Sequence, residues 1–164
     1  MYLLEIIIKS LKFDKNVYLE AKDNPGFNKF SVLIVLLVGF CTGIGTYNLT
    51  NDTSIIRDLL SSILGWLIWT SIIYVIGVKI MKNSSSFSQL SRTLGIAYSP
   101  GVLNVFGIIK IISLPLLAVI LIWTIISFIF ALKHALKISA ERAFLISALS
   151  FIPYLIFRTL LFFI

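Results

Sequence analysis

Apolar residues run along this chain in blocks too long to be one face of a soluble helix, and the charges fall between the blocks. A bilayer's hydrocarbon core takes about 20 helical residues. The weakly charged stretches therefore predict membrane spans at 30–49, 56–80, 93–112, 115–132 and 143–164. The third and fourth are separated by length. Thr93 to Ala131 holds a single charge, Lys110, yet is about twice one span, so it must turn once. Lys110 and the Ser113-Leu-Pro115 step mark that turn, because proline suits the first turn of a helix and is disfavoured inside one. The expected architecture is all-α: a polytopic bundle of five transmembrane helices over 30–164, preceded by a cytoplasmic amphipathic segment, 1–29.

The segment before the first span has a shorter rhythm. Glu5, Lys9 and Lys12 fall at i, i+4 and i+7 on one stripe, while Leu3, Leu4, Ile6, Ile7, Ile8 and Leu11 cover most of the rest. The piece is too short to span. It predicts an interfacial helix along the membrane surface, with Lys9, Lys12 and Lys15 anchored to anionic headgroups; the alternative is a helix packed on the bundle's own cytoplasmic end. A second short helix follows, with Asp14 able to cap its start and Asn24-Pro25-Gly26 ending it.

Inside the spans the polar and small residues are few enough to name. The first span carries Gly39 and Gly43 in Gly-x-x-x-Gly spacing, then Gly45, which lets a neighbouring backbone approach closely, within the bundle or between subunits. A polar turn, 48–54, leads to the second span, where Arg57 beside Asp58 reads as an interfacial pair. Trp66 and Trp69 share a face with Ser62 and Ile73, which either lines a groove or packs closely. A polar, flexible loop over 79–89 precedes the third span. There Tyr98-Ser99-Pro100-Gly101 breaks the helix at membrane depth: Pro100 lacks an N–H, and Ser99 and Asn104 can bond to carbonyls so released. Trp123, Thr124 and Ser127 give the fourth span a polar-aromatic stripe, and Pro153 interrupts the fifth, where Arg158 can snorkel outward. Tyr98, Ser99, Pro100 and Asn104, with Trp66 and Trp123, form a candidate intramembrane binding notch; the competing reading is a kink required by packing.

Charge then sets the orientation. Of the 14 Lys and Arg, all but Arg57, Lys110 and Arg158 lie before the first span, between the second and third, or between the fourth and fifth. By the positive-inside rule the N-terminus is cytoplasmic and the C-terminus outside, and only an odd number of spans preserves that asymmetry. The net charge of +7 is thus spent on topology, spread in small groups rather than in the continuous patch that nucleic acid needs. Residue usage and the short N-terminus point to a bacterial inner membrane.

Catalytic chemistry is missing from the pattern. His134, the single histidine, sits near Ser139 and Glu141 without a strained nucleophile turn, and no Cys or carboxylate lies at metal-ligand spacing from it. All seven acids fall at or beyond span ends, so no intramembrane proton-relay carboxylate is expected. The lone Cys41 excludes an intrachain disulfide. No enzyme activity, metal or cofactor is expected.

The blocks Val17-Tyr-Leu-Glu-Ala-Lys-Asp-Asn-Pro25, Leu94-Gly-Ile-Ala-Tyr-Ser-Pro-Gly-Val-Leu103 and Ala131-Leu-Lys-His-Ala-Leu136, with Glu141-Arg-Ala143 and the Trp123 span, resemble the Yip-one family over roughly Leu4 to Leu160. These are Rab/Ypt-interacting multi-span membrane proteins and their prokaryotic relatives, and the short prokaryotic type is the nearer. The resemblance implies five spans and a cytoplasmic N-terminus. For eukaryotic members it implies adaptor work in vesicle traffic, through a long acidic N-terminal region that this chain lacks. Two functions follow as expectations. One is a non-enzymatic membrane-organising scaffold or adaptor, homo-oligomeric, with the lipid bilayer and other membrane proteins as partners. The other is a lipid or small-solute permeation protein with its site at the broken third span.

Overall fold

The computed structural model describes residues 2–47 and 55–162, excepting the side chains of Leu155 and 157–162; the expected polar turn 48–54 and the side chain of Arg158 lie outside it. All regular structure among the described residues is helical, in seven α-helices with one π-helical and one 3-10 stretch. Two short helices come first, α1 (Leu3–Leu11) and α2 (Lys15–Asp23). Asp14 caps α2 by accepting the Asn16 N–H at 2.9 Å, and Asn24 ends it, its Oδ1 accepting the Gly26 N–H at 2.8 Å.

The long helices begin with α3 (Phe27–Gly45), three residues ahead of the predicted span because the Asn24-Pro25-Gly26 turn feeds it directly. Next comes α4 (Ile55–Ile73), which widens into a π-helical turn over Tyr74–Ile80 without losing continuity. The predicted loop at 79–89 is shorter than expected. Ser86 and Gln89 form a reciprocal capping box, so helix α5 (Phe87–Ala97) starts inside it. The third span is therefore not one helix: α5 stops at Ala97 and the chain continues as a 3-10 segment, Ser99–Ile108. After a turn exposing Lys110, α6 (Ser113–Leu136) takes Pro115 in its first turn and runs four residues beyond the predicted end, to a left-handed Lys137. The last helix, α7 (Ala140–Phe162), passes through Pro153; the proline removes one rung without ending the helix, since the turns on either side keep their own bonds.

Among the described residues three helices are long and apolar enough to cross a membrane: Phe27–Gly45, Ile55–Ile80 and Ser113–Leu136. Neighbouring elements follow the order α3, α4, α7, α6 and the 3-10 segment, which returns to α3, so the five close a ring. The two short helices fill one end of it. Ile6, Ile7, Val17, Tyr18 and Ala21 are buried in the same core as Leu90, Leu94 and Leu132. That end also holds the start of α3 and the end of α6.

Small residues on α3 permit the close approaches. A Cβ on Gly39 would lie 2.9 Å from the Leu59 Cα and one on Gly43 3.1 Å from the Asp58 carboxylate, so this face of α3 receives α4. On the far side Gly45 meets the Asn104 backbone and Gly107 in turn meets the Gly45 carbonyl. Ser31 and Gly95 make the equivalent contact between α3 and α5, where a Gly95 Cβ would lie 2.6 Å from the Ser31 Cβ.

Candidate functional site

The break in the third span follows from Pro100. In an α-helix the N–H at position 100 would donate to the Ile96 carbonyl; proline cannot. The Ile96 oxygen instead accepts from Ser99 Oγ at 2.6 Å and from Ser10 Oγ, on α1, at 3.0 Å. The Tyr18 hydroxyl completes the knot at 2.9 Å from Ser10 Oγ. Ser99 thus bonds to a released carbonyl as expected, while Asn104 does something else: its Nδ2 donates to Thr42 Oγ1 on α3 at 2.9 Å.

The 3-10 geometry carries Tyr98, Gly101 and Asn104 at every third residue to one side of the segment, and all three line a cavity of about 380 Å³ inside the ring. Each of the other four elements contributes. α3 gives Val38, Thr42 and Thr46, and α4 gives Asp58, Ser61, Ser62 and Trp69. From α6 come Leu117, Ile120, Leu121, Thr124 and Ile125, and from α7 Phe151 and Tyr154. The cavity occupies the end of the bundle away from α1 and α2. Its deep end is aromatic, where Trp69 stacks with Phe128 (4.4 Å between centroids) and with Tyr154 (4.7 Å), and Tyr98 meets Phe128 edge-on at 5.0 Å.

Asp58 is the one charged side chain among the described lining residues. Of the two neighbours expected at the interface, Arg57 is exposed and Asp58 is half-buried, its carboxylate close to Gly43. The hydroxyl proton of Thr124 is committed to the Ile120 carbonyl at 2.8 Å, as the Asn104 amide is to Thr42.

Of the notch residues expected from sequence, Tyr98 and Asn104 face this cavity. Ser99 and Pro100 are buried behind it and shape the break. Trp66 and Trp123 lie elsewhere: Trp66 Nε1 donates to the Ser91 carbonyl at 3.1 Å, tying α4 to α5, and Trp123 is half-buried away from the lining. The tryptophan at the site is Trp69. Its signal was the Ser62–Trp69 spacing, which with Asp58 extends to i, i+4, i+11 on one helical stripe. Tyr154 gave no signal, because nothing in the last span's pattern singles it out.

The other predicted residues sit at the opposite end. Lys9 pairs with Glu5 at 2.8 Å, and Lys12 and Lys15 are exposed. Arg92, a topology charge on paper, is 5% exposed and holds the end of α2, donating to the carbonyls of Ala21 (2.8 Å) and Lys22 (2.6 Å) and to Ser88 Oγ (2.7 Å). Burial pushes the Lys22 ammonium below its ordinary pKa, helped by the charge of Lys137 and opposed by Asp23. Among the described residues no three His, Cys, Asp or Glu are grouped to hold a metal ion.

A ring of helices around a cavity, three of them among the described residues able to cross a bilayer, defines an all-helical membrane protein. The family model described as Yip1 domain matches residues 13–161, and the chain belongs to that family. No curated protein and no solved structure matches it.

Proposed function

We propose that this Yip-family protein is a non-enzymatic membrane-organising scaffold or adaptor with five spans, cytoplasmic N-terminus and outer C-terminus. It works as a homo-oligomer in a bacterial inner membrane, with the bilayer and other membrane proteins as partners. Length supports the two spans beyond the three strongly apolar ones. The 23 residues of α7 reach about 34 Å, and α5 with the 3-10 segment reaches roughly 36 Å, against a hydrocarbon core of about 30 Å.

The observation that carries the reading is α1. Ile6, Ile7 and Ser10 lock one face onto the bundle, while Tyr2 (85% exposed), Leu4 (68%) and Ile8 point away from it beside exposed Lys12 and Lys15. Apolar side chains flanked by lysines at the cytoplasmic rim suit the boundary between acyl chains and headgroups, where they wedge one leaflet. The test is vesicle deformation and clustering by reconstituted protein, wild type against Leu4→Asp/Ile8→Asp. The variant should insert normally and lose the activity; equal deformation by both sinks the reading.

The cavity favours a second reading, lipid or small-solute permeation at the broken third span, since all five elements line it. Pro100→Ala with Asn104→Leu should then block flux in liposomes, and unchanged flux excludes it.

A further inference from the structure

We propose that the rim where Lys22, Arg92 and Lys137 come together is a binding site for the phosphate of an anionic phospholipid headgroup. The inference rests on the bilayer-facing role proposed for this end of the molecule and deepens it by naming a lipid.

Packing assembles the cations. Tyr18 on α2 meets Phe130 on α6 edge-on at 5.6 Å, and Phe130 meets His134, one turn later, at 4.6 Å, so α2 lies along the last turns of α6. Arg92 arrives from α5. Its guanidinium closes the end of α2 through the Ala21 and Lys22 carbonyls, and Lys137, in the left-handed turn that ends α6, stands within electrostatic reach of the Lys22 ammonium.

Counter-charge is short at this rim. Asp23 is the one carboxylate among the described residues whose charge acts on Lys22 or on Arg92. Other acids of the segment are committed elsewhere, since Glu5 pairs with Lys9 and the charges of Asp14 and Glu20 act on that same lysine. Three cations therefore share one carboxylate.

Lys22 is the residue that points to a ligand. It is 5% exposed, yet its ammonium makes no hydrogen bond or ion pair among the described residues. A buried cation is costly unless an anion completes it. The ammonium is also reachable, for it is not sealed in as the unpartnered Nε2 of His134 is. Arg92 keeps guanidinium N–H groups beyond the three bonds it makes, and converging ammonium and guanidinium donors suit a phosphate, which accepts several charge-assisted bonds at once.

Depth selects the lipid. Lys137 follows directly on Leu136, the last residue of the apolar span Ser113–Leu136, which puts its ammonium at the level of the headgroups. A phosphate held there keeps its acyl chains in the bilayer.

The experiment is native mass spectrometry of the full-length protein released from nanodiscs of phosphatidylglycerol and phosphatidylcholine in equal amounts, with empty nanodiscs as blank. The wild type should retain one phosphatidylglycerol per chain, at least about tenfold in preference to phosphatidylcholine. Lys22→Gln/Lys137→Gln should erase that preference, whereas Lys12→Gln/Lys82→Gln, which removes as much charge from exposed positions, should keep it. Equal retention of the two lipids by the wild type overturns the proposal without depending on any variant, as does equal loss of preference in the two double variants. Millimolar inorganic phosphate separates the sources: phosphatidylglycerol that stays bound supports the lipid, and its displacement overturns the lipid in favour of free phosphate. Deformation of vesicles by the same wild-type protein separates the two readings. Selective retention without deformation supports the site and sinks the scaffold; deformation without lipid preference overturns the site and leaves the scaffold standing.

Discussion

Replacing Gly45 with alanine tests whether the approach of α3 to the 3-10 segment is as close as described. A Cβ at Gly45 would overlap the Asn104 carbonyl oxygen, which is backbone and cannot rotate away. The reciprocal position is also tight: a Cβ on Gly107 would stand 2.6 Å from the Gly45 carbonyl, so the two strands of chain must part by about 0.8 Å to restore ordinary contact near 3.4 Å. Overpacking of this kind costs about 1–3 kcal/mol where side chains can yield. Here only backbone can yield, so Gly45→Ala belongs at the upper end, even after alanine's helix-propensity advantage of up to about 1 kcal/mol. At roughly 2–4 °C per kcal/mol for a chain this size, a net loss near 2 kcal/mol lowers Tm by about 4–8 °C. The assay is thermal unfolding in detergent followed by loss of the monodisperse chromatographic peak, with Gly26→Ala as control, since Gly26 is exposed and meets only the movable Asn24 amide. Separation of α3 from the segment also breaks the Asn104–Thr42 bond. A Gly45→Ala protein as stable as the control would refute the packing argument.

Arg92→Met removes two hydrogen bonds from the end of α2 and a third to Ser88, and should cost about 2–3 kcal/mol; Arg92→Lys, which lacks the guanidinium fork, should rescue only part of it, both read from Tm in detergent. Ser99→Ala together with Ser10→Ala removes both side-chain donors from the Ile96 carbonyl and should destabilise by about 1–3 kcal/mol. Each single change should cost disproportionately less, because the other hydroxyl remains; strict additivity would contradict the shared acceptor. Lys22→Met relieves a buried cation and should raise Tm. With its folded pKa depressed, wild-type Lys22 holds fewer protons folded than unfolded, so stability should climb with pH between the lowered value and lysine's ordinary one. The methionine variant should lack that slope.

The apolar blocks fixed helix number and order because hydropathy is a property of single residues and survives without coordinates. Start and stop chemistry was equally readable: Asp14, Asn24 and Pro115 act where their side chains say they should. Partners were not readable. Arg92 looks like any loop charge until α2 folds back to offer it two carbonyls some 70 residues earlier in the chain. Trp66 and Trp69 are three residues apart, about 60° around the helix surface, and nothing in their spacing says which looks at α5 and which into the ring. Asp58 was placed at the interface by its position near a span end, a rule about depth that is silent about direction.

What joins the two ends of the molecule is the carbonyl of Ile96. Pro100 is what forces the chain from α-helix to 3-10 helix, and the 3-10 pitch is what brings Tyr98, Gly101 and Asn104 onto the cavity wall. The released carbonyl must find a donor, since an unsatisfied one buried in the bundle costs about 1–3 kcal/mol. Half of its satisfaction comes from Ser10, on the helix whose outer face carries Tyr2, Leu4 and Ile8. The position of α1 and the geometry of the break are thus linked through one acceptor. Lifting α1 away removes a donor from Ile96 and a partner from the Tyr18 hydroxyl at once. Whatever seats α1 against the bundle therefore also stabilises the break that shapes the cavity, and the Ser10→Ala protein is the variant in which the two ends become independent.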